Sequence, residues 1–598
     1  MFLRVVRAAG GKGVKHAYLR LVEAYRDDDG KTQHRTILNL GRMDLLAAHL
    51  DLDKLDQLLH GKARPEQGLR EENIEALAAW DWGPMLATRS IWNELGLLGL
   101  SRTLTQLGRR SRDDGVSISE RALVLVANRL IAPTSEHGLA RWLETDFVCD
   151  SKGRRFVAAW RDEVERKASR TPRVHVAPRQ LQQWYRTLDQ LLERKTKIEQ
   201  DLYLTLRNLF SLKVDVVFYD LTSTFFEGKG PPGLAAHGHS RDDKPRNPQV
   251  LVGLVLVDGW PIAHHVFAGN WRDATTVPSV IGDLESRFGL KRVVFVGDRG
   301  MVTSQNLERL RSGGHGYVVG RNRRRSEEVY EYILRATGPW TECPIGITAS
   351  ETKEPPKTLV QEVASNEPGV RVFVVHSDER LAYERAQRIK SMDRVRAELE
   401  ALAQRITKGK LKAPEKIGAA AARILACNHG HRYYGWNYKD RAFSFFEHPV
   451  HFMREQAYEG KYIIQTEEPG LSPIEAVQLY KELSEVERAF SNLKDVIDMR
   501  PIYHRTRERV EAHIFVAALA FLIHRAIEKK LKNAGLDLSA TQALAALKSV
   551  RVVDIDLGNG TTKRSVTKGT QRAAAVLRAL AITNLDPPTP PKGDQTVV

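Results

Sequence analysis

A stretch between Lys213 and Gly313 alternates strand and helix patterns, and it limits the folds open to this chain. Three apolar, β-branched runs come first, in KVDVVFYD, QVLVGLVLV and PIAHHVFAG, with an Asp258-Gly259 turn between the second and the third. A helical pattern follows in TTVPSVIGDLESRFG, then an apolar run in RVVFVGD and another helical pattern in SQNLERLRSG. This order predicts a mixed α/β domain whose first three strands are antiparallel.

Carboxylates stand at the ends of two of these apolar runs, Asp220 after the first and Asp298 after the fourth. The order of elements is the one that a ribonuclease-H-like fold requires, and open α/β sheets place their active sites at the carboxyl ends of strands. Two carboxylates side by side repel each other, which raises the pKa of each and lowers the stability of the fold. A bound divalent cation removes this repulsion. Because carboxylate oxygens without Cys or His partners suit magnesium or manganese, the pattern predicts a divalent-metal site here.

A long helix is predicted from Ser472 to Arg500. Ser472 and Glu475 have the spacing of a capping box, and Pro473 suits the first helical position. Pro501 ends the helix because proline disfavours the helical conformation of the residue before it. These end signals define one continuous helix.

Two lines of side chains run along this helix. One is apolar and must face a core; its members are Leu479, Leu483, Val486, Phe490, Leu493 and Ile497. Tyr480, Glu487 and Lys494 are seven residues apart and form a second line beside the first, with the carboxylate between a phenol and an ammonium. For a helix taken alone, a solvated glutamate is the ordinary interpretation. Because Asp220 and Asp298 are present, the better hypothesis is that Glu487 forms one site with them.

The length and the cysteine content set limits on the class of protein. At 598 residues the chain is too long for one core, and three or more domains are expected. No apolar run approaches the roughly 20 residues of a membrane span, and the first residues lack the apolar core of a secretory signal. Three scattered cysteines exclude a disulfide framework. We therefore expect a cytoplasmic, nucleoid-associated protein with no membrane partner.

Basic residues are clustered, which favours nucleic acid as a partner. The formal net charge is +17, and the stretch from Lys152 to Arg186 holds ten Lys or Arg against three Asp or Glu. Arg321 and Arg323–Arg325 form a second cluster. Such clusters bind the negatively charged phosphate backbone of nucleic acid and do not by themselves recognise its sequence.

A short turn joins two predicted helices, SISERALVLVANRL and SEHGLARWLE. They are either a helix-turn-helix that reads DNA or a pair within a helical bundle.

The predicted fold class is multidomain α/β. The predicted parts are a small N-terminal β unit (1–65), a helical, basic, DNA-binding region (66–210), the first part of a ribonuclease-H-like core (211–325), an insertion domain (326–460), the second part of the core with the glutamate helix (461–535), and a C-terminal helical segment with a disordered tail (536–598).

These residues resemble bacterial insertion-sequence transposases of the DDE type. The group in question carries a Y-x2-R-x3-E-x6-K signature on the helix of its third acid, matched here by Tyr480, Glu487 and Lys494, with Leu483 in place of the arginine. Further similar segments are Asp220–Thr222, Gly297–Gly300, the loop Gly238–Gln249, Gly269-Asn270 with Asp273 and Thr276 nearby, and Arg500–His504. The acids are 78 and 189 residues apart, which fits a core interrupted by an insertion domain.

The resemblance implies that Asp220, Asp298 and Glu487 hold two Mg²⁺ ions, with Mn²⁺ as a substitute, and catalyse DNA cleavage and strand transfer. It implies double-stranded DNA, both transposon ends and target, as the partner, and a homodimer in the DNA complex. Candidate DNA contacts are Tyr480, Lys494 and Arg299. Leu483 lies on the apolar line, so we expect it to pack, with Lys481 or Arg488 as replacements for the missing arginine.

Two other functions stay open on the sequence. One is a nuclease that cuts without joining, and the other is a domesticated DNA-binding protein that has lost catalysis. Histidines are interpreted as structural, because magnesium seldom recruits imidazole and the Cys427-x-His429-x-His431 pattern lacks a second ligand pair. The histidines near the first acid, interpreted as loop or strand residues, are His237, His239, His264 and His265.

Overall fold

The computed structural model describes most of the chain. The described residues are 2–9, 15–26, 32–43, 75–97, 115–158, 160–162, 174–176, 178–210, 215–301, 303–321, 327–344, 356–557, 562–591 and 596–597. The turn of the predicted N-terminal hairpin, Arg323–Arg325 and the middle of the basic stretch from Lys152 to Arg186 lie outside these ranges.

The strands and helices follow one another in mixed order. The strands are β1 (Phe2–Ala9), β2 (Lys15–Arg26), β3 (Thr32–Arg42), β4 (Glu75–Asp81), β5 (Arg155–Phe156), β6 (Trp160–Asp162), β7 (Val174–Val176), β8 (Val216–Phe225), β9 (Gln249–Val257), β10 (Trp260–Ala268), β11 (Val294–Gly297), β12 (Gly316–Arg321), β13 (Thr341–Glu342), β14 (Thr358–Val363), β15 (Arg371–Ser377), β16 (Tyr434–Lys439), β17 (Ala442–Glu447), β18 (Lys461–Thr466), β19 (Arg551–Asp556), β20 (Thr562–Val566) and β21 (Thr596–Val597). The helices are α1 (Gly83–Glu94), α2 (Ile118–Ile131), α3 (Leu139–Thr145), α4 (Pro178–Glu193), α5 (Lys195–Phe210), α6 (Asp273–Phe288), α7 (Ser304–Ser312), α8 (Glu327–Arg335), α9 (Asp378–Thr407), α10 (Pro414–Ala426), α11 (Pro449–Tyr458), α12 (Pro473–Ser491), α13 (Arg507–Asn533), α14 (Ala540–Leu547) and α15 (Gln571–Ala579).

A nine-stranded mixed sheet is the largest sheet of the protein, in the order β10-β9-β8-β11-β12-β18-β15-β14-β13. β8, β9 and β10 are antiparallel neighbours, as predicted, and β11 is parallel to both β8 and β12. Every residue of β9 is buried, as expected for a strand that is covered on both faces. The predicted mixed α/β architecture is therefore confirmed.

The segment between β12 and β18 has two parts. β14 and β15 were expected in a separate insertion domain, but they extend the large sheet, because β15 pairs with β18 and β14 pairs with β15. The remainder, from α9 to β17, has a small core of its own, made of Met392, Val395, Leu399, Leu425, Tyr433 and Tyr434. Strand patterns identify a strand but not its neighbour, which is why the sequence did not show this division.

α13 is a core helix. Among the described residues it is the one helix long and apolar enough to cross a membrane, but 83% of its apolar window is buried inside the protein. It packs against α2, α4 and β10, and α2 is buried at every position from Ser119 to Leu130. Of the two interpretations of the α2–α3 pair, a helix pair within a bundle fits this burial, since α2 offers no open face to DNA.

The C-terminal part differs from the prediction of a helical segment with a disordered tail. β19 and β20 form a three-stranded sheet with β4, so the region before residue 210 also contains strands. β21 pairs with β5, and its Val597 is buried. The paired strands are far apart in the chain, so no local pattern predicts their pairing. The proline-rich composition of the tail indicates its local conformation but not its contact with a distant strand.

A buried ion cluster joins α5 to the sheet. Glu199 on α5 accepts from His264 Nδ1 at 2.9 Å and from Lys195 Nζ at 3.1 Å, and it also pairs with Arg287 of α6. Burial lowers the pKa of His264 to about 4, so the ring is neutral and donates to the carboxylate. His264 is thus a strand residue with a structural partner, as predicted.

We expect Glu199→Gln to lower the free energy of unfolding by roughly 3 kcal/mol, because it leaves the Lys195 and Arg287 cations without their counter-charge. Urea denaturation measures the change. Asp201→Asn on the same helix is the matched control: its pair with Lys197 is largely exposed, so it should change stability by less than about 0.5 kcal/mol. Equal effects of the two variants would show that the cluster is not a determinant of stability.

Candidate active site

Strand register places Asp220 and Asp298 side by side. In the parallel pair of β8 and β11, Tyr219 lies opposite Gly297, so the next residue of each strand is the other's neighbour. β11 ends at Gly297 and the chain turns away in a single helical turn, Arg299–Met301. The two carboxylates therefore lie together at the end of β11.

α12 brings a third carboxylate to the same place. The helix packs across β8, β11 and β12 and buries Leu483, Val486 and Phe490. The predicted capping box at its start is present, with Ser472 and Glu475 each bonded to the other's backbone. Glu487 projects from the exposed side of the helix, next to this buried line.

The charges of Asp298 and Glu487 act on Asp220. Burial raises the pKa of Asp220 to about 7; the charges of Asp298 and Glu487 raise it as well, whereas the backbone N–H of Leu221 and the charge of Arg241 oppose the shift. A divalent cation among these oxygens would restore the ionised form of Asp220. A donor set made only of carboxylates fits Mg²⁺ or Mn²⁺.

Tyr480 and Arg299 lie beside the acids. Burial raises the pKa of Tyr480, and the negative charges of Asp298 and Glu487 add to the shift, while the charge of Arg299 opposes it. The Tyr480 hydroxyl lies so close to Gly320 on β12 that a Cβ at that position would overlap it. The structure thus brings five of the six predicted site residues together.

Lys494, the sixth, is engaged elsewhere. α12 ends at Ser491, and a π-helical turn follows from Asn492 to Val496, where one continuous helix to Arg500 was expected. A π turn holds more residues than an α turn, so Lys494 leaves the line of Tyr480 and Glu487. Its Nζ donates to Asp242 Oδ1 at 2.7 Å, and only 9% of its side chain is exposed. Lys494 is therefore not open to DNA in this conformation.

The loop between β8 and β9 supplies charged residues to which the sequence analysis gave no role. Asp242, 2% exposed, accepts from both Lys494 and Arg500. Next to it, Arg241 donates to Asp273 at the start of α6 at 2.8 Å. Because its charge lowers the pKa of Asp220, the Arg241 guanidinium is a neighbour of the acids. The one signal that could have found these residues was the similarity of the loop Gly238–Gln249 to the family.

Among the described residues, the three acids are not the tightest group of metal-type donors, because the ligand atoms of another cluster lie closer together than theirs. The ligand atoms of Glu136, His504 and His513 all lie within 4.8 Å of one another. Both ring nitrogens of His513 are already engaged, one with Arg129 at 3.2 Å and the other with the Met499 carbonyl at 3.1 Å. Burial and the Arg129 charge lower the pKa of His513 to about 3. Arg129 on α2 and His513 on α13 are thus structural partners, and His513 has no ring nitrogen left for a metal.

Two family models match the sequence. The one described as the transposase DDE domain matches residues 217–523, more than half of the chain, and this range contains all three acids. The chain belongs to the DDE-domain transposases. The second, described as the N-terminal domain of IS1634 family transposases, matches residues 3–73. The protein is therefore an insertion-sequence DNA transposase, and the resemblance drawn from the sequence is confirmed at that level.

No curated protein matches the transposase significantly. Among solved structures, the cryo-EM structure of a piggyBac transposase synaptic complex with hairpin DNA matches 78% of this chain and 79% of its own, with a TM-score of 0.34 and 9% sequence identity. A similarity at this TM-score does not define a shared fold.

The raised pKa of Asp220 makes stability depend on pH. The pKa is about 7 in the folded transposase against 3.8 as the ordinary value, so the folded state binds the proton more tightly and loses stability as the pH rises from 4 to 7. In EDTA, Asp220→Asn should remove this loss and be more stable than the wild type at pH 8, by roughly 3 kcal/mol, with little difference at pH 4. Thermal unfolding at the two pH values measures this, and a difference that does not change with pH would contradict it.

Asp242→Asn should lower the free energy of unfolding by roughly 3 kcal/mol, because the buried Lys494 ammonium loses its counter-charge. Asp243→Asn is the matched control: the residue is exposed, and its positive φ of 54° is one that asparagine tolerates. Chemical denaturation should show a change below about 0.5 kcal/mol for the control. A loss of the same size in both variants would mean that the Asp242 pair does not hold the loop.

Proposed function

We propose that this transposase binds the terminal inverted repeats of its insertion sequence, cleaves the DNA at the transposon ends and joins the freed 3′-OH to target DNA. The proposal places Asp220, Asp298 and Glu487 at the reacting phosphate. It is supported by one observation above all: three carboxylates inside the matched DDE domain share one electrostatic environment.

Two finer assignments belong to the same proposal. The strand order β10-β9-β8-β11-β12, with the first three antiparallel and β11 parallel to β8, supports a ribonuclease-H-like core. The spacing of Tyr480, Glu487 and Lys494 supports membership of the Y-x2-R-x3-E-x6-K group. The substitution of its arginine by Leu483 removes one DNA-binding side chain and leaves the acids intact, because Leu483 is buried in the core, as predicted.

The chemistry needs two successive displacements at phosphorus. In the first, a water oxygen forms a bond to the phosphorus at the transposon end, the bond to the 3′ oxygen breaks, and that oxygen leaves as the free 3′-OH. In the second, the 3′-OH oxygen bonds to a target phosphorus, and the target 3′ oxygen leaves. Asp220, Asp298 and Glu487 would hold two Mg²⁺ ions, or Mn²⁺ in their place, which when bound activate the attacking oxygen and stabilise the leaving one.

The chain's own cations position the DNA. Arg299 is exposed next to Asp298 and can donate to a non-bridging phosphate oxygen. Arg241, held by Asp273, offers a second guanidinium at the same site. Tyr480 fills the space between the acids and β12, so it fixes where α12 lies, and Lys494 anchors the loop through Asp242.

The remaining assignments concern partners and location. Double-stranded DNA is the partner, both as transposon ends and as target. Two ends must be cut and joined, so we propose a homodimer in the DNA complex. The protein would act in the cytoplasm, on the nucleoid.

Strand transfer tests the function. The purified protein is mixed with Mg²⁺, a labelled duplex of the terminal repeat from the flanks of its own gene, and a plasmid target. Joined product should form with the wild type and with Glu482→Gln, a control on the same helix, and fall below detection with Glu487→Gln. Cleavage without joining would mean a nuclease, and binding without any chemistry in the wild type would mean a DNA-binding relic; either result contradicts the proposal.

A further inference from the structure

A groove leads away from Asp298, one of the three acids, and the long helix α9 forms its far wall. It encloses about 1130 Å³. Its near wall includes Asp298, Arg299 and Gly300, together with the Arg241–Asp273 pair. The far wall is α9, and Arg432 and Tyr433 of the turn before β16 lie alongside it. The groove thus connects the proposed catalytic site with the segment between β12 and β18, which has no role so far.

The side chains of α9 that line the groove include one polar stripe. Its members are Arg380, Tyr383, Gln387, Lys390, Ser391 and Arg394. Arg380, Tyr383, Gln387, Lys390 and Arg394 are spaced by three and four residues, and Ser391 lies beside Lys390, so the six share one face of the helix. Met392, Val395 and Leu399 face the small core. Over these residues the helix rises about 21 Å. One strand of duplex DNA advances about 3.4 Å per nucleotide, so the stripe has the length of about six nucleotides.

Ion pairs inside the groove neutralise most of its acids. Seven Arg or Lys and five Asp or Glu line it. Three of these acids are paired with lining arginines, in the pairs Asp273–Arg241, Glu384–Arg380 and Glu459–Arg388. Of the other two acids, Asp298 belongs to the site itself, and Glu455 lies outside these three pairs. Lys390 and Arg432 lie outside those pairs and add positive charge where α9 and the turn before β16 line the groove.

An exposed aromatic ring stands in this basic stripe. Tyr383 is 65% exposed, so its ring is open to a ligand in the groove. Grooves that bind single-stranded nucleic acid without reading its sequence combine positive charge along the backbone with aromatic rings on which bases stack. A ring between Arg380 and Lys390 on one helix face has that arrangement.

We propose that this groove holds the deoxyribose-phosphate backbone of the DNA strand that runs to the reacting phosphate, with α9 as its far wall. The inference rests on the proposed function, because it takes the three acids as the end of the path. The contacts are to phosphates, so they position the strand and do not depend on its sequence. The strand has two possible sources, the transposon end and the target, and both present the same backbone.

The test is DNA binding by the full-length protein over a range of salt concentrations, with Lys390→Glu/Arg432→Glu as the groove variant. Arg405→Glu/Lys416→Glu is the matched control, since both residues are exposed in the same segment, outside the groove, and the charge change is identical. Two duplexes are compared, the terminal repeat and an unrelated sequence. Lys390→Ala/Arg432→Ala is a milder variant in case the charge reversal prevents folding, which thermal unfolding detects.

The groove variant should bind at least about tenfold more weakly. The slope of log K against log salt should fall by about two, because two side chains no longer neutralise a phosphate each. The control should stay within about twofold of the wild type. Weaker binding to both duplexes supports a groove for either strand, and weaker binding to the terminal repeat alone supports one for the transposon end.

Two outcomes separate the inference from the proposed function. Unchanged binding by the groove variant overturns the inference whether or not the wild type joins DNA. A wild type that binds DNA through the groove but never cuts it would instead refute the proposed function. A wild type that binds neither duplex would refute both.

Discussion

The pairing of two parallel strands in one register is the constraint on which the rest of the site depends. Tyr219 lies opposite Gly297, and a slip of one residue would send Asp220 to the opposite face from Asp298. Apolar residues on both strands hold this register, among them Val217, Phe295 and Val296, which are buried. The hydrophobic core therefore keeps two carboxylates together in spite of their mutual repulsion.

Ion pairs of the loop after β8 connect the segments around the acids. Asp242 binds both the π turn that follows α12 and Arg500 beyond it, while the neighbouring Arg241 reaches Asp273 on α6. The loop after β8, the end of α12 and the start of α6 are thus linked around the acids. Lys494 can in this way stabilise the site without contacting DNA, because it fixes the loop that carries Arg241 next to the carboxylates.

Local sequence patterns were sufficient to predict the strands and the helix that carry the acids. Apolar runs defined β8 and β11, and a capping box defined the start of α12, because strand burial and helix capping depend on residues that are close in the chain. The π turn was missed because it changes the geometry by one residue and leaves the apolar spacing nearly intact. The pairing of β15 with β18, and that of β4 with β19, was missed because partners distant in sequence leave no local mark. Asp242 was missed for the same reason: its importance comes from Lys494 and Arg500, which lie on the other side of the insertion.

The central claim is that Asp220, Asp298 and Glu487 form one divalent-metal site. Fe²⁺ can take the place of Mg²⁺ in an oxygen-ligand site, and with ascorbate and peroxide it generates radicals that cut the polypeptide near the bound ion. Mapping the fragments of the full-length protein tests the claim most directly. We predict cuts near residues 220, 298 and 487 that disappear with excess Mg²⁺ and in Asp220→Asn. Cuts that persist in Asp220→Asn, or that occur around Glu136, His504 and His513 instead, would contradict it.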